Sequence, residues 1–227
     1  MILERENQLN LNDIKQQMKQ MTNNERDGEN LSKLVSYYQL CKAAVNEFGA
    51  KLENLDSDYQ VRHDHNPIHH IEVRMKDPAS LLGKLERKGL NPDINNIVGN
   101  IYDVGGMRVI TNYLDDVYTV EKNLLAQTDV KLLKRKDYIK NPKPSGYRSL
   151  HLVVTVPVFQ SDSVQETPVE IQIRTVGMDM WGSLEHKLRY KTDVDEGKVS
   201  KFSEKLQGYS DEINSIENNM QKIFHDL

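Results

Sequence analysis

One cysteine, Cys41, stands in 227 residues. An internal disulfide is therefore excluded, and a lone thiol fits a reducing, cytosolic setting. Aromatic residues are sparse too, at 7%, with a single tryptophan, Trp181. No window approaches the length of uncharged apolar sequence that spans a bilayer. The opening M-I-L-E-R-E-N-Q lacks the apolar core of a signal peptide, so no membrane partner is expected. An excess of positive charge is also missing, since the net charge is −4. Any anion site must come from a local concentration of lysine and arginine, not from the field of the whole molecule. Low-complexity tracts and internal repeats are absent as well. What remains, at 37% hydrophobic and 28% charged residues, is a polar-surfaced chain long enough to bury a real core.

The patterning predicts a helical segment over residues 1–65, a mixed core over 66–192 and a C-terminal amphipathic helix over 193–227. In the first segment Leu31, Leu34, Tyr38, Cys41, Val45, Phe48, Leu52, Leu55 and Tyr59 recur at helical steps. A shorter helix with Leu11, Ile14, Met18 and Met21 is expected before it, separated by the polar run around Asp27-Gly28. In the core, Ile71 to Lys76 alternates as a strand. Asp77 and Pro78 cap and open a helix that Gly89 ends. Strands are expected over Met107 to Thr111, Leu150 to Val158 and Val169 to Thr175, and helices over Asp115 to Ala126 and Met178 to Lys191. From Val199 to Ile223 the apolar steps make a heptad seam. That seam suits either docking on its own domain or a subunit contact.

Four constellations carry chemistry, and each has a plainer alternative. Arg74 and Lys76 end a strand just before a helix N-terminus that bears Ser80 and Lys84, which makes an anion site or a solvated basic face. Asp103 precedes Gly105-Gly106 and Arg108, as a Mg²⁺ ligand or as an Asx-turn into a strand. In N-P-K-P-S-G-Y-R-S-L-H, Tyr147, Ser149 and His151 share one face if the segment is extended. Tyr147 is then a stacking plate for a base or an amphipathic rim tyrosine. In P-V-E-I-Q-I-R-T, Glu170, Gln172 and Arg174 share the face opposite Val169, Ile171 and Ile173, as a site floor or a solvated face. Together these supply cations, two separated acids and an aromatic plate, the equipment of phosphoryl or nucleotidyl transfer. A fifth cluster, His63, His65, His69 and His70, is a polar connector or a Zn²⁺ site.

With these motifs the sequence resembles the small alarmone synthetases, the synthetase-only members of the RelA/SpoT family. The resemblance covers about Asn66 to Lys191. It rests on R-x-K-x-x-x-S-x-x-x-K from Arg74, D-x-x-G-x-R from Asp103, S-G-Y-R-S-x-H from Ser145 and E-I-Q-I-R-T from Glu170. W-G-S-L-E-H-K from Trp181 also looks like the family's next segment. The long N-terminal helix looks closest to the RelP-type subgroup. The resemblance implies an α+β fold: a mixed, nucleotidyltransferase-like β-sheet flanked by helices, with helical extensions at both ends. It implies pyrophosphate transfer from ATP to the 3′-hydroxyl of GTP or GDP with Mg²⁺, giving AMP and pppGpp or ppGpp.

Carried over by position, Arg74 and Arg108 flank the adenine. Lys76, Ser80 and Lys84 hold ATP phosphates, and Asp103 binds the metal. Tyr147 stacks on guanine, while Lys143, His151 and Lys136 meet the acceptor's phosphates. Glu170, with Gln172 in support, faces the 3′-hydroxyl as base or metal ligand. The family also implies a cytoplasmic homotetramer, with an allosteric nucleotide or RNA as a further ligand. The hydrolase and ribosome-sensing domains of the long enzymes are not expected. Where long members carry R-x-K-D, this chain has K-R-K-D at Lys134 to Asp137, which leaves the choice of GTP or GDP open. A catalytically inactive nucleotide- or RNA-binding module on the same fold is the rival, and the two retained acids count against it. Other nucleotidyltransferases show a G-S-x-x-x-D-x-D signature that this chain lacks.

Overall fold

The computed structural model describes residues 2–4, 27–91, 94–189 and 196–227. In chain order the elements are β1 (Ile2–Glu4), α1 (Asp27–Arg62), β2 (Ile68–Met75), α2 (Pro78–Arg87), α3 (Ile94–Asn100) and β3 (Gly105–Thr111). They continue with α4 (Leu114–Leu125), β4 (Lys131–Asp137), β5 (Leu150–Phe159), β6 (Val164–Thr175), α5 (Val176–Arg189) and α6 (Glu196–Asp226). The strands form one mixed sheet in the order β1-β2-β3-β6-β5-β4. Strand β3 runs parallel to β6, and β2, β5 and β4 run antiparallel to their inner neighbours.

Period-two burial decides which face is which. Leu150, Leu152, Val154, Val156 and Val158 of β5 point the same way as Val169, Ile171 and Ile173 of β6. Helix α1 lays Ala44, Val45, Phe48 and Leu52 against them, and α4 adds Val117, Val120 and Leu124. Each buried Val, Leu, Ile or Phe among them contributes about 1.5–3 kcal/mol. A second cluster joins Tyr38 and Cys41 of α1 to Leu81, Leu85, Ile97 and Ile101 under α2 and α3. At the meeting point Gly105 has no room for a side chain. A Cβ there would stand 2.7 Å from Val45 Cγ2 and 3.0 Å from the Cys41 carbonyl oxygen. The opposite sheet face is mostly polar, with Ile110 and Val153 as buried apolar residues on it.

The expected helix stop at Gly89 is present, with φ 66, and Asp77 caps α2 by accepting from the backbone of Ala79 and Ser80. Other expectations need correction. Residues 2–4 are an edge strand paired with β2, not helix. Asp27-Gly28 opens α1 instead of lying in the polar run before it, and the rest of that run, 22–26, lies outside the described residues. The helix expected around Leu11 to Met21 lies outside the described residues. The short helix α3 and the strand β4 were not anticipated. The extended run thought to start at Tyr147 starts at Leu150, and Ser149 is buried instead of sharing an open face with Tyr147.

Candidate active site

Strand register lines the polar face with two rows. Glu72, Arg108, Gln172, His151 and Lys136 stand opposite one another from β2 to β4. The neighbouring row sets Arg74, Gly106 and Glu170 side by side. Because Gly106 lacks a side chain, the space between Arg74 and Glu170 is open to a ligand.

One end of this face is a cationic pocket around an acid. Lys76 Nζ and Lys84 Nζ both meet Asp103 Oδ2, at 2.9 and 2.7 Å. The Tyr38 hydroxyl donates to the Lys76 carbonyl at 2.6 Å and fixes the end of β2. Burial would raise the Asp103 pKa, but the two ammonium groups outweigh it and hold the carboxyl below its ordinary range. Its other oxygen, Oδ1, is buried without a hydrogen-bond partner. A buried, ionised oxygen with free lone pairs is chemically fitted to a hard cation. Arg74 and Ser80 are exposed beside this pocket, Ser80 in the first turn of α2.

The other end is a chain of hydrogen bonds. Gln172 Nε2 donates to Glu170 Oε2 at 3.1 Å, and Gln172 Oε1 accepts from Arg174 Nη2 at 2.6 Å. The same Nη2 donates to the Tyr147 hydroxyl at 2.6 Å, which meets His151 Nε2 at 2.7 Å. His151 Nδ1 then faces Glu170 Oε1 at 3.7 Å, longer than a hydrogen bond, which brings the two ends of the chain near each other. Burial pushes His151 below the ordinary imidazole value despite the adjacent Glu170, and Arg174 and Lys143 add to the effect. A neutral ring takes the Tyr147 proton at Nε2 and keeps its own on Nδ1. Burial works against the charge of Glu170 as well, as does Asp103, but His151 and the Gln172 amide hold its carboxyl below the usual range. Asp103 and Glu170 are therefore both anionic at neutral pH.

Lys143 Nζ lies 4.6 Å from the centre of the Tyr147 ring and 4.7 Å from that of Tyr138. Lys136 lies over the outer side of Tyr138 at 5.9 Å. The loop bearing Tyr147 is anchored from outside the sheet: Ser210 Oγ donates to the Gly146 carbonyl at 2.5 Å, and Arg148 pairs with Asp211 at 2.8 Å.

The structure thus brings Lys76, Lys84 and Asp103 together at one end, and Glu170, Gln172, His151, Tyr147 and Lys143 at the other. Arg108 lies between them but is turned onto Glu72 and Asp179, at 3.2 and 3.4 Å. Sequence reasoning placed Arg174 on this face without assigning it a task, and missed Tyr138, Glu72 and Asp179. Strand alternation around Ile71 carried a signal for Glu72. Asp179 lies in the first turn of α5, five residues beyond Arg174, so its nearness to the end of β6 was a local signal left unused. The four histidines do not converge on one point, although His69 and His70 meet through their Nδ1 atoms at 2.7 Å. His65 bonds Asp116 at 2.9 Å, and His70 faces Glu72 at 3.6 Å. No group of three or more metal-ligating side chains occurs among the described residues.

Residues 73–195 match the model of the region found in RelA / SpoT proteins. GTP pyrophosphokinase YwaC of Bacillus subtilis is 41% identical over 154 residues, covering 68% of this chain and 73% of the relative. GTP pyrophosphokinase YjbM of the same organism is 35% identical over 191 residues, 84% of this chain and 86% of the relative. Small alarmone synthetase 1 from Bacillus subtilis, solved bound to its product pppGpp, superposes with a TM-score of 0.75 at 32% identity. That match covers 86% of this chain and 96% of the other. Small alarmone synthetase 2 from the same species gives 0.73 at 34% identity, over 84% and 98%. The α+β fold, the ordered motifs and these matches agree: the chain belongs to the RelA/SpoT family, among its small alarmone synthetases.

Proposed function

We propose that this protein is a GTP pyrophosphokinase that makes pppGpp or ppGpp from ATP and GTP or GDP, acting in the cytoplasm as a homotetramer. One observation carries the reading. Two anionic carboxylates, Asp103 and Glu170, share a sheet face, the first between lysines and the second beside an aromatic plate. A module that only binds nucleotides gains nothing from two negative charges among phosphates.

In this reading ATP lies at the Lys76–Lys84 end, with Ser80 and the start of α2 on its phosphates and with Arg74 and Arg108 beside the adenine. The guanosine acceptor lies at the Tyr147 end. Its base takes the ring face that Lys143 covers, which frees that ammonium for the acceptor's phosphates, with His151 and Lys136 near. Glu170 Oε1 has lone pairs to offer, since His151 Nδ1 stands 3.7 Å from it, beyond hydrogen-bond distance. It accepts the proton of the 3′-hydroxyl as the oxygen attacks the β-phosphorus of ATP. The bond from that phosphorus to the α-phosphate oxygen breaks, and AMP leaves. Gln172 holds Oε2 so that Oε1 faces the acceptor. Asp103, through its unpartnered Oδ1, and Glu170 would hold Mg²⁺, which screens the phosphate charge against the incoming oxygen. Lys76 and Lys84 neutralise the same charge from the other side, and fixing both nucleotides in line supplies much of the acceleration.

The test is release of AMP from ATP and Mg²⁺ by the purified chain. AMP should appear only when GTP or GDP is present. AMP formation without a guanosine nucleotide, or none in its presence, contradicts the proposal.

A further inference from the structure

Arg174 is only 4% exposed, and a buried guanidinium is costly unless its donors are engaged. Its partners come from separate parts of the site. Nη2 holds the Tyr147 hydroxyl and Gln172 Oε1, both at 2.6 Å, Nε reaches Ser149 Oγ at 3.4 Å, and Nη1 reaches Asp179 Oδ1 at 3.2 Å. That Asp179 oxygen is shared, because Arg108 Nη1 approaches it at 3.4 Å. Both distances exceed the roughly 2.7–2.9 Å of a relaxed charge-assisted bond. One oxygen held between two guanidinium groups can shorten to either as the other withdraws. Helix α5 closes over this arrangement: a Cβ on Gly182 would stand 3.2 Å from Arg174 Nη1 and 3.9 Å from Tyr147 Cε2.

Resting on the functional reading above, we propose that Asp179 and Arg174 are positioning residues. They form a relay through which Arg108 on the ATP side sets the ring of Tyr147 on the guanosine side, so that ATP tightens acceptor binding. When Arg108 turns onto bound ATP, Asp179 closes on Arg174 alone. Arg174 then holds the Tyr147 hydroxyl more firmly, and the ring has less freedom to lose when guanine stacks on it. Linkage makes the effect mutual, so a bound acceptor also favours ATP.

Calorimetric titration of GDP, with and without a non-hydrolysable ATP analogue, tests the relay. In the wild type GDP should bind at least about fivefold more tightly with the analogue present. In Asp179→Asn, which keeps the shape and removes the charge, the ratio should fall to about one. Tyr147→Phe keeps the ring and breaks the far end of the same relay, so its ratio should also collapse, whatever Asp179→Asn does to folding. A pair that merely ties α5 to the sheet would lower the Tm of Asp179→Asn and leave the ratio alone. Persistence of the ratio in both variants, or its absence in the wild type, overturns the relay. A wild type that binds no GDP at all would instead reject the functional reading itself.

Discussion

In the proposed reaction Glu170 is the residue on which the chemistry turns. Its carboxyl stays ionised in a half-buried site because Gln172 and His151 stabilise the charge. Glu170→Gln removes the proton acceptor and keeps the shape. Turnover should fall at least about a hundredfold, while calorimetry still detects both nucleotides. Full activity in that variant would reject Glu170 as the central acid. His151 sets the pH response. Burial places its folded-state pKa below the ordinary 6.5, so the native ring is neutral through the physiological range. Protonation would deprive the Tyr147 hydroxyl of its acceptor and put a cation against Glu170. A pH profile of kcat/KM should stay level on acidification down to 6.5 and decline only below it. A decline beginning above that value would contradict the neutral assignment. Stability follows the same sign. The contributions of His151 and Glu170, both depressed, are complete above their unfolded-state values and are lost as pH falls through the folded ones.

At the scale of elements, the turn before β5 shows how Tyr147, the proposed acceptor plate, is held. Gly146 has φ 89, and a Cβ there would stand 3.0 Å from both Gln207 Cα and Ser210 Cβ on α6. Gly146→Ala combines a left-handed backbone penalty of about 1–2 kcal/mol with a clash against the helix. It should lower the Tm by about 2–8 °C and raise the KM for the guanosine acceptor more than that for ATP. Equal effects on both KM values would show that the turn serves the whole site. The turn also marks where the sequence could be read and where it could not. Alternation in β5 and β6 and the cap of α2 announced themselves, because burial on one face leaves a periodic trace. Strand β4 left none. It is an edge strand whose residues are exposed from Lys131 to Lys136, so backbone pairing to β5 makes it a strand and no hydrophobic period records it. The site motifs were likewise visible as residue types at strand ends. The approach of Arg108 to Asp179 joins residues 71 apart in the chain, a tertiary contact that no local spacing encodes.

Across the whole molecule, the two C-terminal helices present apolar side chains to solvent. Val176, Met180, Leu184 and Leu188 follow one another on α5, and Phe202, Tyr209, Ile216 and Ile223 recur each heptad on α6. The expected seam is therefore divided. Leu206 and Ile213 are partly buried, while the alternate positions lie open. An exposed stripe of this length fits the subunit contacts of the proposed tetramer. Ile216→Glu should lower the mass measured by light scattering, and an unchanged mass would remove this face from the assembly. No helix among the described residues is long and apolar enough to cross a membrane. The central claim concerns which atoms move. The measurement that reaches it most directly follows ATP labelled at the β-phosphate, offered with GTP or with 3′-deoxy-GTP. The account predicts that the label passes to the guanosine nucleotide as a 3′-pyrophosphate with one AMP released per transfer, and that the 3′-deoxy compound accepts none. Label released as free pyrophosphate, or transferred equally to the 3′-deoxy compound, would contradict it.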